Sequence, residues 1–219
     1  MVFDRKKCES DMGCGCVCCE DSAQMPPDDF GETVERPSVL LHSCCGPCST
    51  AVVERLAEEF NLTVFFYNPC ITEEEEYLRR RSAQKKFIEA YNRENLGRFV
   101  IRYMEPDYRP ADFLEITRGL EDEPEGGARC TVCFRQRLEK AAETASMKGY
   151  DFFGTTLTVS PHKNYGTISG IGRKLALKYG VSFLDRDFKK KDGFRRSIEL
   201  SKKYDLYRQN YCGCKYSKR

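Results

Sequence analysis

The sequence predicts an α/β fold: a mostly parallel sheet covered by helices on both faces, with a basic helical extension at its C-terminal end. Three observations carry this. Short apolar runs rich in Val, Leu and Phe alternate with longer segments of helical periodicity. The first run feeds directly into a helix, as in a βαβ unit. The 219 residues are enough to bury a core without disulfide staples.

The elements follow in order. Residues 1–36 are polar and rich in Cys, Asp and Pro, with "MPPDD" and "ERP" as breakers, and read as an irregular Cys-rich extension. Residues 37–219 read as one α/β domain that includes the basic C-terminal segment. "SVLLHS" is a buried strand, and "TAVVERLAEEF" places Val52, Val53, Leu56 and Phe60 at helical spacing. "LTVFFY" is the second strand. A long helix follows in "TEEEEYLRRRSAQKKFIEAYNREN", where Thr72 and Glu75 stand in capping-box register. "RFVIRY" is the third strand, "PADFLEITRGL" a helix opened by Pro110, and "CFRQRLEKAAETASMKG" a helix closed by Gly149. "YDFFGTTL", "TISGIGRKLALKYG" and "VSFLD" complete the pattern as strand, helix and strand.

Composition narrows the function classes. The 13 cysteines are an odd number, and "MVFDRKK" has no apolar stretch behind it, so the expected compartment is the reducing cytoplasm. There, clustered cysteines bind metal or do chemistry more often than they form structural bridges. No stretch is long and apolar enough to cross a membrane. The net charge is only +2, yet Arg173 to Arg219 holds 15 Lys and Arg against 5 Asp and Glu. Interleaved aromatics there suit a nucleic-acid backbone with stacked bases, and equally suit a solvated helix face.

The thiols collect where the strands end. "LLHSCCGPCST" sets Cys44, Cys45 and Cys48 after the first strand, and "EGGARCTVCFRQRLE" sets Cys130 and Cys133 at a helix start. In doubly wound sheets ligands bind beyond the carboxyl ends of the strands. Two close-spaced cysteine groups from separate loops suit a tetrahedral zinc site or an iron-sulfur cluster, and spacing does not choose between them. Cys45 and Cys48 also read as a thioredoxin-like CxxC, although Cys44 stands before the motif. A zinc-braced nucleic-acid-binding module is the third reading. Near the C-terminal end, "YRQNYCGCKYSKR" separates Cys212 and Cys214 by one glycine, a redox pair or a frayed tail.

Four blocks in this order, "LLHSCCGPCST", "EGGARCTVCFRQRLE", "GTTLTVSPHKN" and "DRDFKKKDGFRRSIELSKKYDLYRQNYCGC", resemble the cobalamin-independent epoxyqueuosine reductases, the QueH family, from about Ser38 to Cys214. The resemblance implies a Rossmann-like, HUP-like fold. It implies reduction of the epoxide of epoxyqueuosine at the tRNA wobble position, the last step of queuosine synthesis, with an electron donor it does not name. By position, Cys44, Cys45, Cys130 and Cys133 match the cysteines of a 4Fe-4S cluster, and Cys212 with Cys214 a redox-active pair. Some members imply a second, mononuclear iron, for which Cys48 and one of the adjacent pair are natural ligands. For phosphate contacts to tRNA the candidates are Lys163, Lys189, Lys190, Lys191, Arg195 and Arg196, and for base stacking Tyr207 and Tyr211. His162, Asp185 and Asp187 are candidate proton donors, and His42 is expected to be structural. Cysteines stand where a PP-loop relative would carry its pyrophosphate-binding glycines, so no ATP chemistry is expected.

Overall fold

A computed structural model describes residues 36–218. Apart from Arg36, the predicted Cys-rich extension lies outside the described residues. The sheet runs β1 (Ser38–His42), β2 (Asn61–Phe65), β3 (Arg102–Met104), β4 (Phe152–Thr155) and β5 (Ser182–Phe183). The helices are α1 (Gly46–Leu56), α2 (Glu74–Glu94), α3 (Pro110–Ile116), α4 (Ala128–Met147), α5 (Tyr165–Tyr179) and α6 (Gly193–Lys203). All strand pairings are parallel, in the spatial order β3-β2-β1-β4-β5. From β1 the chain winds outward to β2 and β3, then returns to β4 on the other side. The reversal between β1 and β4 opens a crevice at their carboxyl ends.

Both faces of the sheet are covered, which is why its strands read as continuous apolar runs. Val39, Leu41, Leu62 and Val64 point to one side and pack with Leu56 of α1, Phe87 of α2 and Leu200 of α6. Leu40, Phe65 and Phe153 point to the other and meet Leu138 of α4 and Leu175 of α5. Helix α6, the basic helix expected near the C-terminal end, lies against α1.

Several boundaries differ from the periodicity, each for a physical reason. α1 begins at Gly46, ahead of its first periodic valine, because Pro47 is pre-organised for a first helical turn. The third strand pairs only from Arg102: the backbone N–H and C=O of Ile101 bond the carboxamide of Asn92 on α2, at 2.8 and 3.0 Å. Thr72 does not cap α2. The cap position is Glu73, with no side-chain cap bond, and the Thr72 hydroxyl accepts the N–H of Lys215 at 3.1 Å. A hydroxyl expected to start a helix instead anchors the C-terminal segment.

Gly46 marks a close approach. A Cβ there would lie 2.7 Å from the Ala83 carbonyl oxygen of α2, which is backbone and cannot swing aside. Gly46→Ala is expected to destabilise the protein by about 1–3 kcal/mol, lowering Tm by roughly 2–12 °C in a thermal melt.

Candidate functional site

The loop after β1 is held rigidly before it presents any thiol. The Ser43 N–H donates to Phe65 O at 2.9 Å, continuing the sheet one residue beyond β1. Its hydroxyl donates to Gln84 Oε1 at 2.8 Å, Gln84 Nε2 donates to Ser49 Oγ at 2.9 Å, and Asn68 Nδ2 donates to Ser43 O at 2.9 Å. Cys45 then occupies the cap position of α1 in extended backbone, with no side-chain cap bond, so its sulfur faces elsewhere. The sulfurs of Cys44, Cys45 and Cys48 all lie within 4.8 Å of one another, and Cys44 and Cys45 are 3.9 Å apart. They stand at the helix N-terminus, where the macrodipole favours negative charge. Hydrogen bonds from the Cys45 and Cys48 thiols, with the charges of Lys163 and Arg137, hold the Cys44 thiol well below its ordinary pKa. As donor to Cys44, Cys45 is pushed up to about 12, and Cys48 rises for the same reason. Three thiols thus share one negative charge.

A second group forms opposite. Cys130 lies in the first turn of α4 and Cys133 in the second, and Cys130 Sγ accepts the Gly126 N–H at 3.2 Å. Cys130 packs against the core that contains Cys44 and Cys45. The Cys133 thiol instead meets Cys70, a cysteine after β2 that the motif reading passed over. Hydrogen bonding from Cys133, aided by Arg137, lowers Cys70 to about 6 and raises Cys133. Cys70, Cys133 and Cys214 share one apolar cluster with Phe66, Ile71 and Phe113.

The C-terminal segment closes over both groups through Arg80, a fully buried side chain on α2. Its guanidinium donates to Glu76 Oε1 at 2.6 Å, to Cys212 O at 2.9 Å and to Tyr211 O at 3.1 Å. Gly213 sits at φ +116°, where a Cβ would be 3.0 Å from both Arg80 Nη1 and Ile71 Cγ1. Cys212 and Cys214 are free thiols here, the first half-buried and the second buried. Burial raises the Cys212 thiol's pKa against the pull of Lys163 and Arg137. Arg137, on α4, is wholly buried; burial works to lower its pKa, but Cys133, Cys70, Cys212 and Cys44 around it raise it. Its Nη2 has no hydrogen-bond partner among the described residues.

A cleft of about 700 Å³ opens above these groups. Cys44, Cys48 and Cys212 contribute thiols to it, and Lys163, Arg208 and Lys218 contribute positive charge. The cysteines keep Lys163 protonated, raising its pKa against burial. Of the residues expected to meet tRNA, Lys163 and Tyr211 line this cleft. The others lie outside it. Lys189 Nζ donates to Lys163 O at 3.0 Å; Lys190 and Lys191 are exposed on a turn pinned by Arg55, whose guanidinium bonds their carbonyls at 2.9 and 2.6 Å. Arg195 pairs with Asp192 and Glu199, and Arg196 with Glu54 and Glu199. Tyr207 donates to Glu76 Oε2 at 2.7 Å.

Among the candidate acids, His162 is exposed on the cleft wall. Asp185 already accepts from Tyr165, Ser169 and Arg173, and Asp187 accepts the Lys189 N–H at 3.2 Å. His42 is buried between Thr155 Oγ1 and Tyr67 O, at 3.0 and 3.1 Å.

With this geometry the chain can be set beside known proteins. A family model described as "Epoxyqueuosine reductase QueH" matches residues 39–219, most of the chain. The chain belongs to the epoxyqueuosine reductase QueH family. Relatives carrying that name include one from Streptococcus pyogenes serotype M1, 44% identical over 182 residues, covering 83% of this chain and 71% of the relative. One from Staphylococcus epidermidis is 44% identical over 185 residues, covering 84% and 77%. One from Thermotoga maritima is 35% identical over 182 residues, covering 82% and 90%. Among the described residues no helix is long and apolar enough to cross a membrane.

For a QueH chain the relevant question is whether the donor set suits a metal. It does: three thiols at ligand spacing, one held as thiolate, can bind a metal ion. Arg80, Arg137 and Gln209, which donates to Cys45 Sγ at 3.0 Å, were missed by reading the sequence. Only their positions signal them: Arg137 follows Cys133 by one helical turn, and Gln209 precedes Cys212 by three residues.

Burial, with the Arg137 charge, lowers the His42 pKa from 6.5 to about 3. The unfolded chain then binds a proton between these values that the folded chain refuses, so stability falls as pH drops below 6.5. Between pH 7 and pH 5 the parent protein should lose about 2 kcal/mol more than His42→Gln, read by urea unfolding at both pH values.

Proposed function

We propose that this chain reduces the epoxide of epoxyqueuosine at the wobble position of tRNA to the cyclopentene of queuosine. Epoxide, two electrons and two protons give alkene and water. One observation carries the proposal: over residues 39–219 the chain is a QueH protein, and the cleft in that region gathers thiols and cations around one opening. The cytoplasm, where tRNA is modified, is the compartment this reading requires.

The group we place here is a 4Fe-4S cluster, held by Cys44, Cys45, Cys130 and Cys133, with Cys48 available to a second, mononuclear iron. Cys48 lines the cleft while Cys45 is fully buried, which favours this division and weakens a thioredoxin-like exchange at Cys45. When bound, such a centre supplies single electrons and a Lewis-acid position. The chain's own residues do the rest. Lys163, kept protonated beside Cys44, Cys48 and Cys212, offers a fixed positive charge to the oxygen that leaves the ring. His162 is the acid on the cleft wall from which a proton can come. Cys212, on the same wall with Cys214 behind it, is placed to pass reducing equivalents as a dithiol. Arg208 at the cleft suits a backbone phosphate, and Tyr211 suits a base.

Protein purified anaerobically should hold about four acid-labile sulfides per chain, with a visible band that dithionite bleaches. It should convert epoxyqueuosine in tRNA, read by nucleoside mass spectrometry. A folded Cys130→Ser, Cys133→Ser chain should lose both the sulfide and the conversion; parent-rate turnover by that variant would falsify the ligand set. Zinc without sulfide, persisting after anaerobic reconstitution, would favour the zinc-braced module instead.

The exposed turn makes a separate claim on tRNA. Charge reversal at Lys189, Lys190 and Lys191 should weaken tRNA binding and flatten its salt dependence, by a slope change of up to roughly 3 in log K against log salt, with little effect on Tm. An unchanged slope removes the turn from the interface.

A further inference from the structure

Gln209 lies between α6 and the Cys212-Gly213-Cys214 segment, and its one carboxamide faces two ways. Nε2 is 3.0 Å from the sulfur of Cys45, which is completely buried. Gln209 lines the thiol-lined cleft, and its Oε1 is buried with no hydrogen-bond partner among the described residues. A buried carbonyl oxygen left unpaired is costly and uncommon in folded proteins. A thiolate or metal-bound sulfur accepts but does not donate, so the amide nitrogen is the end that belongs beside Cys45. That orientation leaves Oε1 as the unpaired end of a side chain that lines the cleft. The backbone around Gln209 is not free to drift, because Arg80 holds the carbonyls of Tyr211 and Cys212.

We propose that Gln209 is a positioning residue that joins the metal centre to the substrate. Its Nε2 holds the sulfur of Cys45, and its Oε1 accepts a hydrogen bond from a hydroxyl of the bound nucleoside. The proposal rests on the reductase reading above. An N–H directed at a ligand sulfur draws electron density from it and favours the reduced state of the centre, so it raises the potential. A substrate hydroxyl seated on Oε1 polarises the same amide and strengthens its N–H donation. Binding is thereby felt at Cys45.

Two variants separate the ends of the amide. Gln209→Met keeps the length but has neither the amide donor nor its carbonyl. Gln209→Glu keeps an acceptor, and its carboxylate cannot donate to sulfur. Each is reconstituted anaerobically beside the parent chain, checked for folding by its melting curve, titrated potentiometrically, and assayed on epoxyqueuosine-containing tRNA. Both variants should shift the midpoint potential to more negative values. KM should rise roughly tenfold in Gln209→Met, as expected for one lost hydrogen bond, and by a smaller factor in Gln209→Glu. A parent-like potential in both variants overturns the proposal, and so does a parent-like KM in Gln209→Met. If the parent chain itself takes up no reducible centre, the reductase reading fails and this proposal falls with it. That outcome is told apart from the others because it appears before any variant is compared.

Discussion

A thiol gives up its proton more readily where hydrogen-bond donors and positive charge stand near, and at this sheet edge two buried arginines supply part of that charge. Arg137 sits among Cys44, Cys70, Cys133 and Cys212, and Arg80 lies under the backbone of Cys212 and within reach of Cys44 and Cys45. A guanidinium keeps its charge under all ordinary conditions, so burial cannot neutralise it. Both arginines are therefore costly to the fold unless negative charge gathers around them. Glu76 provides it for Arg80, and around Arg137 the lowered thiols of Cys44 and Cys70 provide it, so that each side makes burial of the other tolerable. The positions of α2, α4 and the C-terminal segment follow from this pairing.

The same constraint explains why the cleft is cationic even though many basic residues near the C-terminal end do not enter it. Arg195 and Arg196 are spent on carboxylates of α1 and α6, and Arg55 on the carbonyls of the turn before α6. Lys163 and Arg208 are placed differently, on the wall of the cleft that Cys44, Cys48 and Cys212 line, whereas Lys218 reaches that wall while paired with Glu73 at 2.7 Å. A net charge summed along the sequence cannot tell these groups apart. Each one's role is decided by the partner the fold supplies.

Much of this architecture could be read before folding. The strand-helix alternation, the parallel sheet and the positions of Cys44, Cys45 and Cys48 just beyond β1 follow from periodicity and motif spacing. What escaped depended on partners distant in the chain. Thr72 carries the local signature of a helix cap, but Lys215 takes its hydroxyl. Ile101 reads as strand, yet Asn92 removes its backbone groups from the sheet. Arg80 lies within "RRR", where nothing local separates a buried side chain from its solvated neighbours. Cys70 lacked any close-spaced partner, and only the approach of α4 to β2 brings Cys133 to it.

The bond from Lys215 to Thr72, the grip of Arg80 on Cys212 and the left-handed turn at Gly213 have a consequence for the order of assembly. Residues 209–218 are synthesised after every strand of the sheet, yet they form a wall of the cleft that Cys44 and Cys48 line. A nascent chain with its sheet complete lacks that side of the cleft until this segment arrives. A polypeptide cut short by ten residues would lose Cys214 and Tyr216 from the cluster around Phe66 and Phe113, and with them one wall of the cleft.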